Sequence, residues 1–350
     1  MRDTGLDIHV VDPLADERWD ELVDRHPKAS AFHTRGWLKA LQLTYGYKPF
    51  VVTTSAPGEP MHDGMVFCRI SSWFTGTRAV SLPFADHCEP LASGSEERAK
   101  LMSWLRTEQF LQKWKYAEFR PLWPCALGED GPPPSSTYCF HELDIRPGLD
   151  HVFHEMHRDC IRRKIRRAER EGLSYQVGRT SELMEVFYRL LLMTRRRLGI
   201  LPQPRGWFRN LQEYVGDDLQ IHVARKDGTP VASILTLKHG RTVVYKYGCS
   251  NAALHKLGGM PFLFWHLIEE SKTRGVEKID FGRTDMRSQG LIRFKDRLGA
   301  RKHTLTYYRY STREKGAGDS GASDTVRRIV SLLPDSICVP AGRILYRHMG

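Results

Sequence analysis

The chain reads as an α/β protein of the α+β kind, built as two tandem halves, each a mixed, mostly antiparallel sheet flanked by helices. Two observations predict this. Short β-branched and apolar runs closed by turn residues alternate with longer stretches of helical periodicity. The same order of elements (strand, hairpin, strand, strand, loop, helix, strand) also occurs twice, from Pro49 to Arg120 and again from Leu219 to Phe281. The halves are expected at 1–145 and 146–312, with 313–350 a flexible linker and an amphipathic tail.

The second copy is the more informative. Leu219–Ala224 is a short apolar run and Arg225–Gly228 a turn with Asp-Gly chemistry. Pro230–Lys238 and Arg241–Tyr247 are the next strands. His255-Lys256-Leu257-Gly258-Gly259-Met260-Pro261 then leads into an apolar helix that ends near Arg274. A glycine pair lets a backbone turn sharply or approach a ligand, and Pro261 suits a first helical turn, where its missing N–H costs nothing. The N–H groups of such a turn, with the helix dipole, attract an anion such as pyrophosphate. His255, Lys256, Gly258, Gly259 and Met260 are therefore the candidate donor-binding residues; a plain turn is the competing explanation. The first copy has Ala92-Ser93-Gly94-Ser95 at the same place, with no basic residue close upstream.

In the first half, a helix is expected near Asp16–His26, and Thr34 caps a helix over Arg35–Tyr45. Strands follow at Pro49–Thr54, Gly64–Ser71 and Arg78–Leu82, a loop at Pro83–Leu91, a helix at Glu96–Lys113 and a strand at Tyr116–Arg120. Glu129–Ser136 is a flexible break before a strand at Thr137–Ile145. Arg158–Arg170 carries seven basic residues against Asp159 and Glu169. Ile161, Ile165 and Ala168 share one helical face, and Arg163, Arg167 and Arg170 another, so guanidinium groups one turn apart can grip successive phosphates. Leu183–Arg197 is a further helix ending in a basic cluster that includes Arg195, followed by a loop with Pro202, Pro204, Arg205 and Trp207. Glu277–Phe281 is a strand that runs into Gly282-Arg283-Thr284-Asp285, and Thr304–Tyr310 is the last one. Glu314–Ser323 is Gly/Ser-rich. Val326–Met349 is apolar and basic, broken by Pro334 and Pro340; such a segment either packs on its own protein or lies on a membrane surface.

Composition narrows the classes. A chain of 350 residues with 41% hydrophobic residues and 8 Trp holds real cores. It has no run of 18 apolar residues, and its first residues lack the pattern of a secretory signal. The seven cysteines are scattered, without metal-ligand spacing, which argues for a reducing, cytoplasmic setting and no metal site. A net charge of +12 favours an anionic partner.

Four stretches together resemble the Fem-type and related GNAT-fold acyltransferases, the group that includes peptidoglycan interpeptide-bridge enzymes and polysaccharide-associated relatives. They are Phe32–Leu38, Ile161–Gly172, Met193–Phe208 and Ile279–Gly299, the last holding Asp-Phe-Gly and a later Phe-Lys…Gly. The resemblance implies two GNAT-like halves with a substrate groove and transfer of an acyl or aminoacyl group to an amine. It implies no permanently bound cofactor, with acyl-CoA or aminoacyl-tRNA as co-substrate, and it gives the Phe-Lys lysine, here Lys295, a part in holding the reacting carbonyl. Some members carry an inserted helical hairpin for tRNA, and this sequence lacks it. The short Phe84–Leu91 segment and the basic tail are closer to the polysaccharide-associated branch.

Acyl transfer needs an anchored donor, a neutral amine and a partner for the developing oxyanion. Lys295 or Arg283 are the oxyanion candidates; Asp285, Asp86 or Glu89 the base candidates, with His87 and His255 titratable near neutrality. Arg163, Arg167, Arg195, Asp86, His87 and Glu89 are the candidate substrate contacts, and Asp280 is read as structural. The expected activity is N-acyl transfer, acyl-CoA being the favoured donor, in cell-envelope or polysaccharide synthesis. An aminoacyl-tRNA-dependent ligase and a silent polyanion-binding module are the alternatives. The expected location is cytoplasmic, with peripheral contact at the inner face of the membrane through the tail.

Overall fold

A computed structural model describes residues 7–123, 131–311 and 324–349. The chain divides into two compact units, 1–138 with 304–318 and 345–350, and 139–303 with 319–344.

The first unit opens with β1 (His9–Val11), α1 (Arg18–Arg25) and α2 (Arg35–Tyr45). Thr34 caps α2 by accepting a hydrogen bond from the Trp37 amide, and left-handed Gly46 ends it. Trp37, Leu38, Leu41 and Tyr45 form its buried face. β2 (Lys48–Thr53), β3 (Met65–Ser72) and β4 (Gly76–Val80) form an antiparallel meander. A loop and α3 (Ser95–Leu111) follow, and β5 (Tyr116–Phe119) returns parallel to β4. A core of Met65, Phe67, Leu101, Leu105, Trp114 and Phe119 lies beneath α3.

β6 (Pro134–Asp144) starts three residues before the expected strand, and its later part belongs to the second unit. There α4 (Leu149–Glu155), a π-turn at Arg158–Arg162 and α5 (Arg163–Arg170) come first. The side chain of His157 accepts from the amides of Asp159 and Cys160 and so starts the π-turn. β7 (Ser174–Gly178) and α6 (Ser181–Leu198) follow. The stretch expected as a loop is α7 (Arg205–Tyr214): Pro204 caps it, and Trp207, Phe208 and Leu211 are buried. Proline before a helix and aromatics inside it look like a loop in sequence, but the amphipathic spacing decides the outcome.

β8 (Leu219–Lys226), β9 (Thr229–His239) and β10 (Thr242–Ser250) are the second antiparallel meander. A 3₁₀ turn (Ala252–Leu257), α8 (Gly259–Thr273) and β11 (Lys278–Asp285) complete the repeat, with β11 parallel to β10. Meander, helix and parallel return strand thus recur in both units. α9 (Gln289–Arg297) leads to β12 (Arg301–Ser311), whose far end pairs antiparallel with β5 in the first unit.

The Gly/Ser-rich segment expected to be flexible lies outside the described residues. The tail beyond it is packed rather than free: α10 (Asp324–Leu332) and α11 (Asp335–Met349) are helices, with Pro340 inside the second. A Cβ on Gly199 would lie 2.3 Å from the Arg327 carbonyl oxygen, and one on Gly342 would lie 2.1 Å from that of Pro202, so glycine is what lets these elements touch. Among the described residues no helix is long and apolar enough to cross a membrane.

A buried polar chain stiffens the second core. His222 Nε2 lies 2.9 Å from Thr236 Oγ1, and His222 Nδ1 lies 2.7 Å from the Tyr175 hydroxyl, which donates to Glu270 at 2.7 Å. Burial pushes the His222 imidazole down to about 3, so it stays neutral although Glu270 is 3.7 Å away. The folded value lies below the unfolded one, so this contribution is intact above about pH 6.5 and falls away as pH drops below it. His222→Gln is expected to flatten the loss of stability between pH 7 and pH 5 in urea titrations; an unchanged slope would place the titration elsewhere.

Candidate active site

The site of the second unit begins where two parallel strands part. β10 and β11 are in register from Thr242↔Lys278 to Val244↔Asp280. Beyond that β10 bulges between Tyr245 and Tyr247 and runs on to Ser250, while β11 runs on to Asp285. Diverging strands turn backbone N–H and C=O groups toward the gap, and those groups need partners.

The 3₁₀ turn and α8 stand at the end of β10. Ser250 Oγ lies 2.8 Å from His255 Nε2, and the Ser250 backbone is clasped by Thr194 Oγ1. α8 starts at Gly258, left-handed at φ +81°, and no side chain caps it. The two glycines serve the protein's own packing: a Cβ on Gly258 would lie 2.7 Å from the Lys164 carbonyl oxygen, and one on Gly259 would lie 2.7 Å from Val231 Cγ1. Gly258 thus lets α5 close over the loop, and Gly259 lets the helix start sit against β9. The first-turn amides and dipole of α8 still favour negative charge at this end of the helix.

Cations surround this helix start. His255 and Lys256 are exposed on the turn and Lys164 is exposed on α5. Burial, then the charges of Arg197 and Lys164, push the His255 imidazole below its usual value. The charge of Arg195 is felt at Tyr245 and Cys249 on β10. Met260 is half-buried and packs against the second core. Arg163 and Arg167 do not join the collar: their exposed side chains reach Asp159 at 4.0 Å and Glu171 at 3.6 Å on their own helix. Lys164, one position from Arg163, is the basic residue that sequence reading passed over, because only the packing of α5 on Gly258 shows which side of the helix meets the loop.

Lys295 is placed differently from expectation. It is 2% exposed, and its ammonium donates to the carbonyls of Phe281 (2.6 Å) and Gly282 (3.1 Å) and to Thr284 Oγ1 (2.7 Å). Rather than facing an open groove, it clamps the end of β11 from beneath. Asp280, read as structural, accepts from the Gly282 amide at 2.6 Å in the same turn. Asp285 is corrected as a base: it is held by the Arg287 amide and guanidinium, and those bonds keep its carboxyl below the usual range. A carboxylate so stabilised takes up a proton poorly. Arg283, half-buried, lies between these two groups on β11.

A residue that sequence reading missed lies beside the clamp. His141 on β6 is fully buried, and its Nε2 is 3.0 Å from Asp296 Oδ1, next in sequence to Lys295. A carboxylate only accepts, so the proton belongs on Nε2 and Nδ1 carries a lone pair. That Nδ1 is buried and has no hydrogen-bond partner among the described residues. Burial lowers the imidazole's pKa, and the nearby Lys295 charge lowers it further, against the raising pull of Asp296. One histidine in a strand carries no signal in sequence; its pairing with Asp296 exists only after folding.

Asp86, His87 and Glu89 lie in the first unit. Glu89 is buried, takes the amides of Leu122 and Trp123 on one oxygen and Lys28 at 3.4 Å on the other, and so organises a loop. Its backbone carbonyl meets His33 Nε2 at 2.9 Å. The Asp86 carbonyl accepts from the Tyr307 hydroxyl, and buried His87 packs edge-on against Phe32. Glu89 is thereby corrected from a base to a structural carboxylate. Among the described residues no cluster could hold a metal ion.

Comparisons with known proteins agree with the fold. Residues 156–296 match the family model of an acetyltransferase (GNAT) domain. A UDP-N-acetylmuramoylpentapeptide-lysine N(6)-alanyltransferase of Weissella viridescens is 28% identical over 88 residues, which is 25% of this chain and 26% of that one, so the match spans about a quarter of the relative's length. Among solved structures, FemX superposes with a TM-score of 0.68 at 14% identity, over 87% of this chain and 97% of that one. A tandem GNAT protein of the clavulanic acid pathway gives 0.53 at 11% identity, over 89% of this chain and 100% of that one.

Proposed function

We propose that this chain, whose residues 156–296 match the model of an acetyltransferase (GNAT) domain, transfers an acyl group from an activated donor, acyl-CoA in the first place, to an amine. The observation that carries this is the α8 start, free of any side-chain cap and ringed by Lys164, His255, Lys256 and Arg197, at the end of the parting β10 and β11. The donor's phosphates lie on that helix start, and its extended arm takes the backbone groups that β10 and β11 no longer exchange. The amine nitrogen attacks the carbonyl carbon, the thiolate leaves, and the proton shed by the amine passes to His141 Nδ1, with Asp296 holding the imidazole. Arg283 is the cation for the oxyanion. The alanyltransferase relative supports an acceptor among cell-envelope precursors.

An aminoacyl-tRNA donor is the second reading. It rests on the exposed arginines of α5, whose Arg163 side chain is 74% exposed. Incubating the protein with acetyl-CoA, longer acyl-CoAs and charged tRNA, and following which is consumed, separates the two; polyanion binding with no consumption would leave only a binding module.

Two variants test the parts. Lys256→Glu is expected to raise the KM for the donor about tenfold, the worth of one lost phosphate contact of about 1.4 kcal/mol, while the melting temperature stays put. His141→Gln is expected to lower kcat by about 100-fold, as for loss of a general base, and to abolish the acidic limb of the pH–rate profile. A His141→Gln enzyme with the parent's profile would remove His141 from the chemistry.

A further inference from the structure

We propose that the tip of the β3–β4 hairpin and the end of α11 tied to it, both in the first unit, form a docking surface for an anionic lipid bilayer. At the tip, Trp73 is 89% exposed and Phe74 75% exposed. The turn beneath them is ordered: Ser72 Oγ accepts from the amides of Phe74 and Thr75, at 3.2 Å and 2.9 Å. The two rings are therefore held outward by a turn that Ser72 ties together, and aromatic residues so placed favour the membrane–water interface.

The tip is joined to the end of α11. The carbonyl of His348 accepts from Thr75 Oγ1 (3.1 Å) and Arg78 Nη2 (2.6 Å), and its imidazole Nδ1 lies 2.9 Å from Ser72 Oγ. The Trp73 ring meets the His348 ring edge-on, centroids 6.1 Å apart. Beside His348 on this helix end, Leu345 and Met349 are four residues apart and share one side of the helix. Met349 is 58% exposed and Leu345 41%. Trp73 and Phe74 thus stand beside an apolar helix end of the same unit.

Charge decides the occupant. Arg347 is exposed on this helix end, and exposed Lys115 lies against the hairpin at Gly76. From Ser336 to Met349 the helix has no acidic residue. An apolar patch with a cationic flank matches the acyl boundary and phosphate layer of an anionic bilayer. A second copy of the chain would bring the same cations against each other.

The test is co-sedimentation of the full chain with phosphatidylcholine vesicles, with and without phosphatidylglycerol. Binding is expected to the anionic vesicles and to weaken with salt. The Trp73→Ala/Phe74→Ala double variant, altered at exposed positions, is expected to bind at least about tenfold more weakly, and Lys115→Gln/Arg347→Gln is expected to lose the preference for anionic lipid. Leu43→Ala, also exposed on the first unit, should bind like the parent. Absence of binding overturns the proposal, as does a hairpin variant that binds like the parent. Light scattering that shows a dimer dissolved by the hairpin variant overturns it too, in favour of self-association. No donor or turnover is involved, so the outcome is independent of the transfer reaction.

Discussion

Replacing Glu118 by Ala is expected to destabilise the first unit by about 3–5 kcal/mol, the usual penalty for stranding a buried ion-pair partner. Glu118 sits directly across from Arg309 in the β5–β12 pairing. Its side chain is 5% exposed, with Arg120 at 2.7 Å on one oxygen and Arg309 on the other. The guanidinium of Arg309 also lies over the Tyr116 ring at 4.0 Å, and that of Arg120 over the Tyr307 ring at 5.0 Å. Removing the carboxylate therefore takes from two cations at the junction of β5 and β12 the negative charge that Glu118 supplies. Burial alone would raise the Glu118 pKa, but Arg120 and Arg309 outweigh it and hold the group below its ordinary value. The folded value is thus the lower one, so the stabilisation is complete above about pH 4.5 and is lost as pH falls through the folded pKa. In denaturant titrations the gap between parent and Glu118→Ala should be full at pH 7 and should narrow below that point. A gap that does not narrow in acid would show that packing, and not charge, is what Glu118 supplies.

Lys295→Met is expected to cost about 2–4 kcal/mol of stability, because it keeps the stem and strands the acceptors, at about 1–3 kcal/mol for each buried polar group left unpaired. The carbonyls of Phe281 and Gly282 and the hydroxyl of Thr284 converge on the Lys295 ammonium in a turn closed to water. Activity should fall with it, since the clamp fixes the end of β11, where Arg283 is carried. The informative comparison is urea unfolding of the second unit beside turnover. A Lys295→Met protein as stable as the parent but without turnover would mean that the ammonium leaves its carbonyls to meet substrate, which restores the role the Fem resemblance implies.

Much of the architecture was legible in the residues. Thr34, Gly46 and the apolar spacing of Trp37, Leu38, Leu41 and Tyr45 mark α2 by local rules alone. The Asp-Gly turn at Asp227-Gly228 and the β-branched runs around it mark the β8–β9 hairpin in the same way. α7 was not legible, since a proline cap and paired aromatics resemble a loop until Trp207 and Phe208 are seen to be buried. The candidate site was half legible. The glycine loop before α8 and its cations could be read from the chain because a helix start is a local object. The placing of Lys295, the pairing of His141 with Asp296 and the part of Lys164 could not be read, because each depends on which strand or helix lies beside it.

The sequence by itself therefore determined the two repeated meander, helix and strand units, the basic loop that opens α8, and the excess of positive charge, since turn chemistry, periodicity and composition act within a few residues. Only the tertiary structure decided which charges are used. It tied Lys295 to its own backbone, gave Glu118 two arginines, bound Asp285 to Arg287, and left Trp73 and Phe74 in the open. The physical reason is that a side chain's chemistry is set by its desolvation and its nearest partners, and for these residues the partners come from distant parts of the chain or from a turn whose shape the neighbours impose.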